Sequence, residues 1–215
     1  MKAAPKKLYI FGAGGFGREV AWLAQQIYVG GVDIAFVVDH AQHMGPPIHG
    51  IELKHLSQTN FTRDTYFVVA VGNPHSRRTI AEKMAFAGHK PITLIHPNVL
   101  TSQHVDIGAG TIICANSVIT CDIKIGHHVH INLACTIGHD VEIGNYSTIS
   151  PGVNISGNVH IGREVFIGTN ACLINGNADK PLVIGDGAVI AAGACVTRDV
   201  PAGAMVAGVP AERKR

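Results

Sequence analysis

His139 is followed directly by Asp140, which sets an imidazole beside a carboxylate. A neutral imidazole can take a proton near pH 7, and an adjoining carboxylate can hold the ring in one tautomer. A second chemistry-bearing stretch lies near the amino end, where Gly12-Ala13-Gly14-Gly15-Phe16-Gly17 matches the pattern G-x-G-x-x-G. Glycines at 12, 14, 15 and 17 let the backbone come close to a pyrophosphate, and the helix that follows offers it free N–H groups. Asp39, about twenty residues past the glycines, is placed to bind a ribose hydroxyl. The simpler reading of the same glycines is a tight βα turn with no ligand.

The elements that must hold the glycine turn are short. Leu8 to Phe11 is an apolar run that predicts a strand, Glu19 to Tyr28 a helix, and Ile34 to Val38 a second strand. A loop rich in proline and glycine, Gly45 to Gly50, precedes a third strand over Thr65 to Val71 that ends in Gly72-Asn73-Pro74. Ser76 to Ala87 reads as a helix stopped by Gly88, and Pro91 to Ile95 as a fourth strand. This βαβ order predicts a small parallel-sheet, Rossmann-like α/β domain over residues 1–96. It is short for a complete two-halved dinucleotide fold, which argues against NAD and for a ligand with a single nucleoside.

His139 belongs to a different pattern. From Ile107 to Leu173 an aliphatic residue returns at every sixth position, twelve times in succession, with a smaller or β-branched residue two places before each. The run Ile174 to Pro181 breaks the count, and the period resumes at Ile184, Ile190 and Val196, so a loop is inserted at Asn175 to Lys180 without ending the repeat. A helix of period 3.6 cannot keep every sixth residue on one face. Short strands joined by tight turns can, and glycine directly follows the aliphatic at 108, 126, 138, 144, 162, 168 and 185 as if to make those turns. The spacing predicts a parallel β-helix over residues 97–215 with a continuous apolar core. His139, two residues past an inward aliphatic, falls at a turn of the coil.

Composition excludes several classes. With 47% hydrophobic and 15% charged residues the chain is expected to be well packed, and the low charge suits a molecule that buries surface between subunits. The formal charge of +2 includes no basic tract beyond short groups such as Lys6, Lys7 and Arg213-Lys214-Arg215, so nucleic acid is not expected as a partner. Five cysteines with no C-x-x-C pair argue against a disulfide framework and for a reducing cytoplasm. No stretch reaches the length of a membrane span, and the start Met-Lys-Ala-Ala-Pro-Lys-Lys lacks the apolar core of a leader. Of the thirteen histidines, His127, His128, His130 and His160 are read first as surface residues of a polar coil.

The repeat resembles the hexapeptide-repeat acyltransferases, and the closing Asp199-Val200-Pro201-Ala202-Gly203 and Gly208-Val209-Pro210-Ala211 are similar to that family's ending. The resemblance implies a left-handed β-helix of 18-residue coils, roughly five of them, assembled as a homotrimer with acyl-coenzyme A in grooves between neighbouring chains. Together with the amino-terminal domain, the whole chain resembles a narrower family of bacterial sugar N-acetyltransferases and sialic acid O-acetyltransferases, including those acting on UDP-N-acetylbacillosamine precursors and GDP-perosamine. Ile131-Asn132-Leu133-Ala134-Cys135-Thr136-Ile137-Gly138-His139-Asp140 and Ile149-Ser150-Pro151-Gly152 carry it most specifically. It implies His139 as general base with Asp140 behind it, a backbone N–H at Gly157 for the oxyanion, and Gly208 and Pro210 near the adenine end of acetyl-CoA. It also implies Asn132 near the sugar, and Asn73 with the glycine turn near the nucleotide diphosphate. This chain departs from the pattern at Phe16 and Thr148, where many relatives carry histidine, and at His40, where relatives recognised for UDP-sugars tend to carry a second acidic residue.

The expected activity is transfer of an acetyl group from acetyl-CoA to the amino group of a nucleotide-linked deoxy-amino sugar, a UDP-4-amino-sugar first, for surface glycan synthesis. No covalent acyl-enzyme and no metal are expected. The alternatives are O-acetylation of sialic acid, a non-catalytic trimeric nucleotide-binding scaffold, and a zinc site of three histidines across a subunit boundary. The last explains nothing in the first ninety or so residues.

Overall fold

In a computed structural model, residues 5–177 and 179–214 are described. The leader reading of residues 1–4, the tail residue Arg215 and the insertion residue Ala178 lie outside them. The chain divides into two compact units, Met1–Leu94 and Ile95–Arg215.

The first unit is a parallel five-stranded sheet. Its elements are β1 (Lys7–Phe11), α1 (Gly15–Ile27), β2 (Asp33–Val38), β3 (Glu52–His55), β4 (Thr65–Val69), α2 (Pro74–Phe86) and β5 (Lys90–Pro91). The strand order is β3-β2-β1-β4-β5, with every pair parallel. Leu8, Ile10, Phe36, Phe67 and Val68 are all buried to within 1% and form the core. β3 was not expected from the sequence, since in Glu52-Leu-Lys-His only Leu53 is apolar and the strand is recruited by pairing with β2. The run Pro91 to Ile95, expected as one strand, is two. β5 closes the five-stranded sheet, while Leu94–Ile95 is the end strand of a sheet of the repeat.

Because β1 lies between β2 and β4, the chain leaves β1 toward one edge and β4 toward the other. A crevice opens outside the carboxyl ends of two strands at such a reversal, where ligands of open α/β sheets bind.

The second unit is built as the period predicts. Its short strands form sheets of six, five and eight members, parallel except for the last pair. Up to the insertion partners are 18 residues apart, as in Ile119↔Ile137↔Ile155 and Ile113↔Ile131↔Ile149, and across it 23, as in Leu173↔Val196. Five coils are common to all three sheets, the number expected. The aliphatics Ile113 through Leu173 are at most 4% exposed, and a fully buried isoleucine contributes about 1.5–3 kcal/mol. Inward hydroxyls are satisfied: Thr111 donates to Gly126 O (2.9 Å) and Ser147 to Gly162 O (2.8 Å).

The turns differ from expectation. The left-handed backbone recurs every sixth residue, but at Gly110, Asn116, Asp122, His128, Ala134, Asp140, Tyr146, Gly152, Asn158, Glu164 and Asn170, not at the glycines that follow the aliphatics. Those glycines answer to coil stacking: a Cβ on Gly108 would lie 2.5 Å from Gly126 C, and one on Gly144 2.5 Å from Gly162 C.

Candidate active site

Each coil has a corner two residues past the aliphatic of the six-stranded sheet. The register Ile119↔Ile137↔Ile155↔Leu173↔Val196 therefore stacks Cys121, His139, Gly157, Asn175 and Arg198 in one column. Backbone bonds tie the column together, with Asn158 N–H donating to His139 O (2.8 Å) and Gly176 N–H to Gly157 O (3.0 Å).

His139 Nδ1 and Asp140 Oδ2 are 2.7 Å apart. With Nδ1–H donated to the carboxylate, Nε2 carries the free lone pair. The ring is exposed, and its Nε2–Cε1 edge lies over Gly157, where a Cβ would come within 2.6 Å of either atom. Gly157 is buried, and among the described residues its N–H has no acceptor. At the corners of the five-stranded sheet the corresponding N–H is capped from the next coil, that of Ala109 by His127 Nδ1 (3.0 Å) and that of His127 by Asn145 Oδ1 (2.8 Å), whereas the column of Gly157 carries no such caps among the described residues. A lone-pair base and an uncapped donor thus share one corner, the pair of groups that acyl transfer uses.

This corner opens on a groove of about 1070 Å³. Asp140 and Asn158 flank it, the insertion residues Asn175 to Asn177 wall it, and Asp106, Lys124, Glu142 and His160 line its other side. Lys124 donates to Glu142 at 2.9 Å, which raises the lysine's pKa and lowers the carboxylate's. Cys121, one coil before His139, has its thiol pKa raised by desolvation first and then by Asp122 and Asp140. A raised pKa lowers the share of the nucleophilic thiolate.

In the first unit the glycine turn follows β1 and Asn73 follows β4, the strand paired beside it. Gly12 (φ +102°) takes no side chain, since a Cβ would lie 2.9 Å from Ala70 O, and one on Gly17 would lie 2.0 Å from Gly12 O. Both are glycine for internal reasons. Gly14 is not: nothing lies within 4 Å of its Cβ position, and Gly15 has only Arg18 Nη2 at 3.9 Å. Gly14, the N-cap of α1, has no side chain to cap the helix, and the first turn carries no acid to repel an anion. Asp39 follows β2, exposed, with its carbonyl 3.3 Å from His55 Nε2. Asn73 caps α2 by accepting from Ser76 N–H (2.9 Å).

Arg77 was missed by sequence reasoning. An arginine in a helix normally marks a solvated face, but this one is 0% exposed and donates from Nη1 to Val71 O (2.7 Å) and Gly72 O (3.2 Å). It shapes the loop that presents Asn73. The histidine expectation also needs correction: His127 is exposed, but His128 is 7% and His130 1% exposed. His128 stacks on Tyr146 (5.6 Å between centroids) and fills the space left by Gly110, whose Cβ would lie 2.3 Å from its ring.

Two groups of expected site residues stand apart from His139. Asn132 occupies a different corner, nearly buried, donating from Nδ2 to Ile149 O (3.0 Å). Gly208 and Pro210 turn the closing hairpin between Met205–Ala207 and Glu212–Arg213 and do not line the groove. Among the described residues no group of three His, Cys, Asp or Glu is arranged to hold a metal.

The GDP-perosamine N-acetyltransferase of Escherichia coli O157:H7 is 39% identical over 213 residues, covering 96% of each chain. The chain belongs to this sugar N-acetyltransferase family. Residues 7–84 match the family model described as PglD N-terminal domain. Two solved structures of similar proteins superpose over nearly the whole length. WeeI from Acinetobacter baumannii AYE does so with a TM-score of 0.91 at 32% identity, covering 96% of this chain and 98% of that one. The acetyltransferase domain of PglB from Neisseria gonorrhoeae FA1090, in complex with acetyl coenzyme A, does so with a TM-score of 0.88 at 34% identity, covering 98% and 100%. Within the family, the stretch from Asn132 to Asp140 and the glycine turn are the features to be assigned roles.

Proposed function

We propose that the protein transfers the acetyl group of acetyl-CoA to the amino group of a nucleotide-linked deoxy-amino sugar. The observation that carries this reading is the corner where His139, oriented by Asp140 at 2.7 Å, lies against the uncapped Gly157 N–H in a groove able to take an extended thioester. His139 Nε2 takes a proton from the amine as its nitrogen attacks the thioester carbonyl. The Gly157 N–H stabilises the oxyanion that forms. Collapse breaks the C–S bond, and the imidazolium returns its proton to the departing thiolate, giving free coenzyme A and the amide. No acyl-enzyme is needed, in keeping with the suppressed thiolate of Cys121.

The nucleotide diphosphate is assigned to the glycine turn, Gly12, Gly14, Gly15 and Gly17, with Asp39 on the ribose and Asn73 beside it. The uncapped terminus of α1 supports this. Asn132, Gly208 and Pro210 are assigned to sugar and coenzyme by family resemblance. The first unit is read as Rossmann-like and the second as a left-handed β-helix that assembles as a homotrimer, the active sites lying at subunit boundaries. Five free thiols and dependence on acetyl-CoA support a cytoplasmic setting. No described helix is long and apolar enough to cross a membrane.

The test is thiol release from acetyl-CoA with a panel of GDP-, UDP- and dTDP-linked amino sugars, GDP first because the relative matched over the whole chain is named for it. Turnover with one of them and none with sialic acid is expected. No release with any member of the panel removes the reading.

A further inference from the structure

The insertion that breaks the six-residue period also sets two cysteines side by side. The register Cys172↔Cys195, Leu173↔Val196 pairs them across adjacent parallel strands. Leu173 and Val196 are buried, at 0% and 1% exposure, so the alternation of a strand turns both thiols to the outer face of the six-stranded sheet. There Cys172 is exposed and Cys195 half-buried, and both thiols are free. The other cysteines are placed differently: Cys114 and Cys135 are buried, and Cys121 is followed in its corner column by His139, not by a second thiol.

The backbone fixes the spacing of the pair. Cys172 N–H donates to Ala194 O (2.9 Å), Ile174 N–H to Val196 O (3.1 Å) and Cys195 N–H to Gly208 O (3.0 Å). Paired strands run roughly 4.8 Å apart with their side chains parallel, so the two Cβ atoms stand at about that separation, wider than the roughly 3.8 Å usual in a disulfide. A direct S–S bond would have to pull one coil toward the next against those hydrogen bonds. The sulfurs nevertheless reach each other. Desolvation first, and then the charge and hydrogen bond of Cys195, raise the pKa of Cys172, so this thiol meets a ligand in its neutral form.

Two sulfurs at this spacing suit an atom that bridges them and needs no third protein ligand. A structural zinc ion takes four ligands, and among the described residues no His, Cys, Asp or Glu joins the pair to make a group of three. Trivalent arsenic already bonded to one carbon has two bonds left. We infer that Cys172 and Cys195 form a two-thiol site for a trivalent organic arsenical, held through both sulfurs as a bridge between the coils on either side of the insertion. Binding is a condensation with no change of oxidation state. Both S–H bonds and the two bonds of As=O break, two As–S bonds form, and the two thiol protons leave with the oxygen as one water. Neutral thiols are what this step consumes, and the site needs neither acetyl-CoA nor sugar.

The test adds phenylarsine oxide to the full-length protein. Intact-mass measurement should show one arsenical per chain, less one water, that survives a monothiol such as mercaptoethanol and is removed by a dithiol such as dimercaptopropanol. Peptide mapping of the wild-type adduct should find arsenic joining the Cys172 peptide to the Cys195 peptide. Cys172→Ser and Cys195→Ser change outer-face side chains by one atom, so each should melt as wild type does, and each should lose the adduct that survives the monothiol. Retention of that adduct by either variant, mapping of the arsenic to any other pair, or a wild-type protein that takes up none overturns the inference. So does wild-type protein isolated without oxidant with Cys172 and Cys195 already joined in a disulfide, because the strand spacing would then not hold the sulfurs apart.

Discussion

A Cβ on Gly157 would lie 2.6 Å from Nε2 of His139, closer than unbonded atoms approach. The colliding atoms belong to an exposed ring at the end of a rotatable side chain, so the ring can swing away without disturbing the coil. Gly157→Ala should therefore cost little stability, with Tm within about 2 °C of wild type. Activity should respond differently, because displacing the imidazole separates the base from the donor. A fall in kcat of about 100-fold is expected, measured by thiol release beside a thermal melt. A melt lowered in proportion to activity would mean the glycine serves packing alone.

Removing the imidazole tests the base itself. His139→Ala should lower kcat by about 10²- to 10⁴-fold while coenzyme A binding by calorimetry stays near wild type. Asp140→Asn keeps the shape but offers an amide in place of a carboxylate, so the ring loses its fixed tautomer. A smaller but clear loss of kcat with little change in KM is the expected outcome. Both side chains are exposed, so unfolding is not a competing explanation.

Cys135 gives a pH-dependent prediction in the solenoid core. It is fully buried, and desolvation pushes its thiol pKa up to about 11. In the unfolded chain the thiol ionises near its ordinary value of about 8.5–9. A pKa higher in the folded than in the unfolded state means the native protein holds its proton longer. The stability this represents is complete below about pH 8.5 and is lost as pH rises through about 11. The loss amounts to about 3 kcal/mol. Cys135→Ala removes the titrating group, so the gap between wild-type and variant melting temperatures should narrow or reverse between about pH 8.5 and 11. A gap that stays constant across that range would show that the thiol does not titrate with folding.

The repeat was legible because every sixth side chain obeys one constraint, entry into a core that tolerates nothing polar without a partner, and Ile113 to Leu173 record it without a break. The corner at His139 was legible for the same reason, as a count from Ile137. What escaped depended on neighbours outside the local pattern. β3 has one apolar residue and exists through its pairing with β2. Arg77 is buried through contacts to Val71 and Gly72 carbonyls that no helical period announces. His128 is covered because Gly110, one coil earlier, leaves a space the width of a ring. The glycines after the aliphatics were attributed to turn conformation when the next coil's backbone, at 2.5 Å from a would-be Cβ, is what excludes a side chain.

The glycine turn separates a ligand role from a packing role position by position. At Gly17 a Cβ would stand 2.0 Å from the carbonyl oxygen of Gly12, backbone that cannot step aside without moving β1 against α1. Gly17→Ala should thus destabilise the first unit by about 1–3 kcal/mol or more, seen as a lower melting temperature whether or not nucleotide is present. At Gly14 the same methyl meets nothing within 4 Å, and φ is −72°, a value alanine adopts freely. Gly14→Ala should fold as well as wild type, yet under the proposed assignment it places a methyl in the path of the diphosphate to the first turn of α1. Loss of affinity for GDP or UDP by about tenfold, measured by calorimetry on a protein of unchanged melting temperature, is the expected result. If Gly14→Ala binds both nucleotides as wild type does, the diphosphate does not sit on this turn and the open space around Gly14 belongs to a plain βα connection.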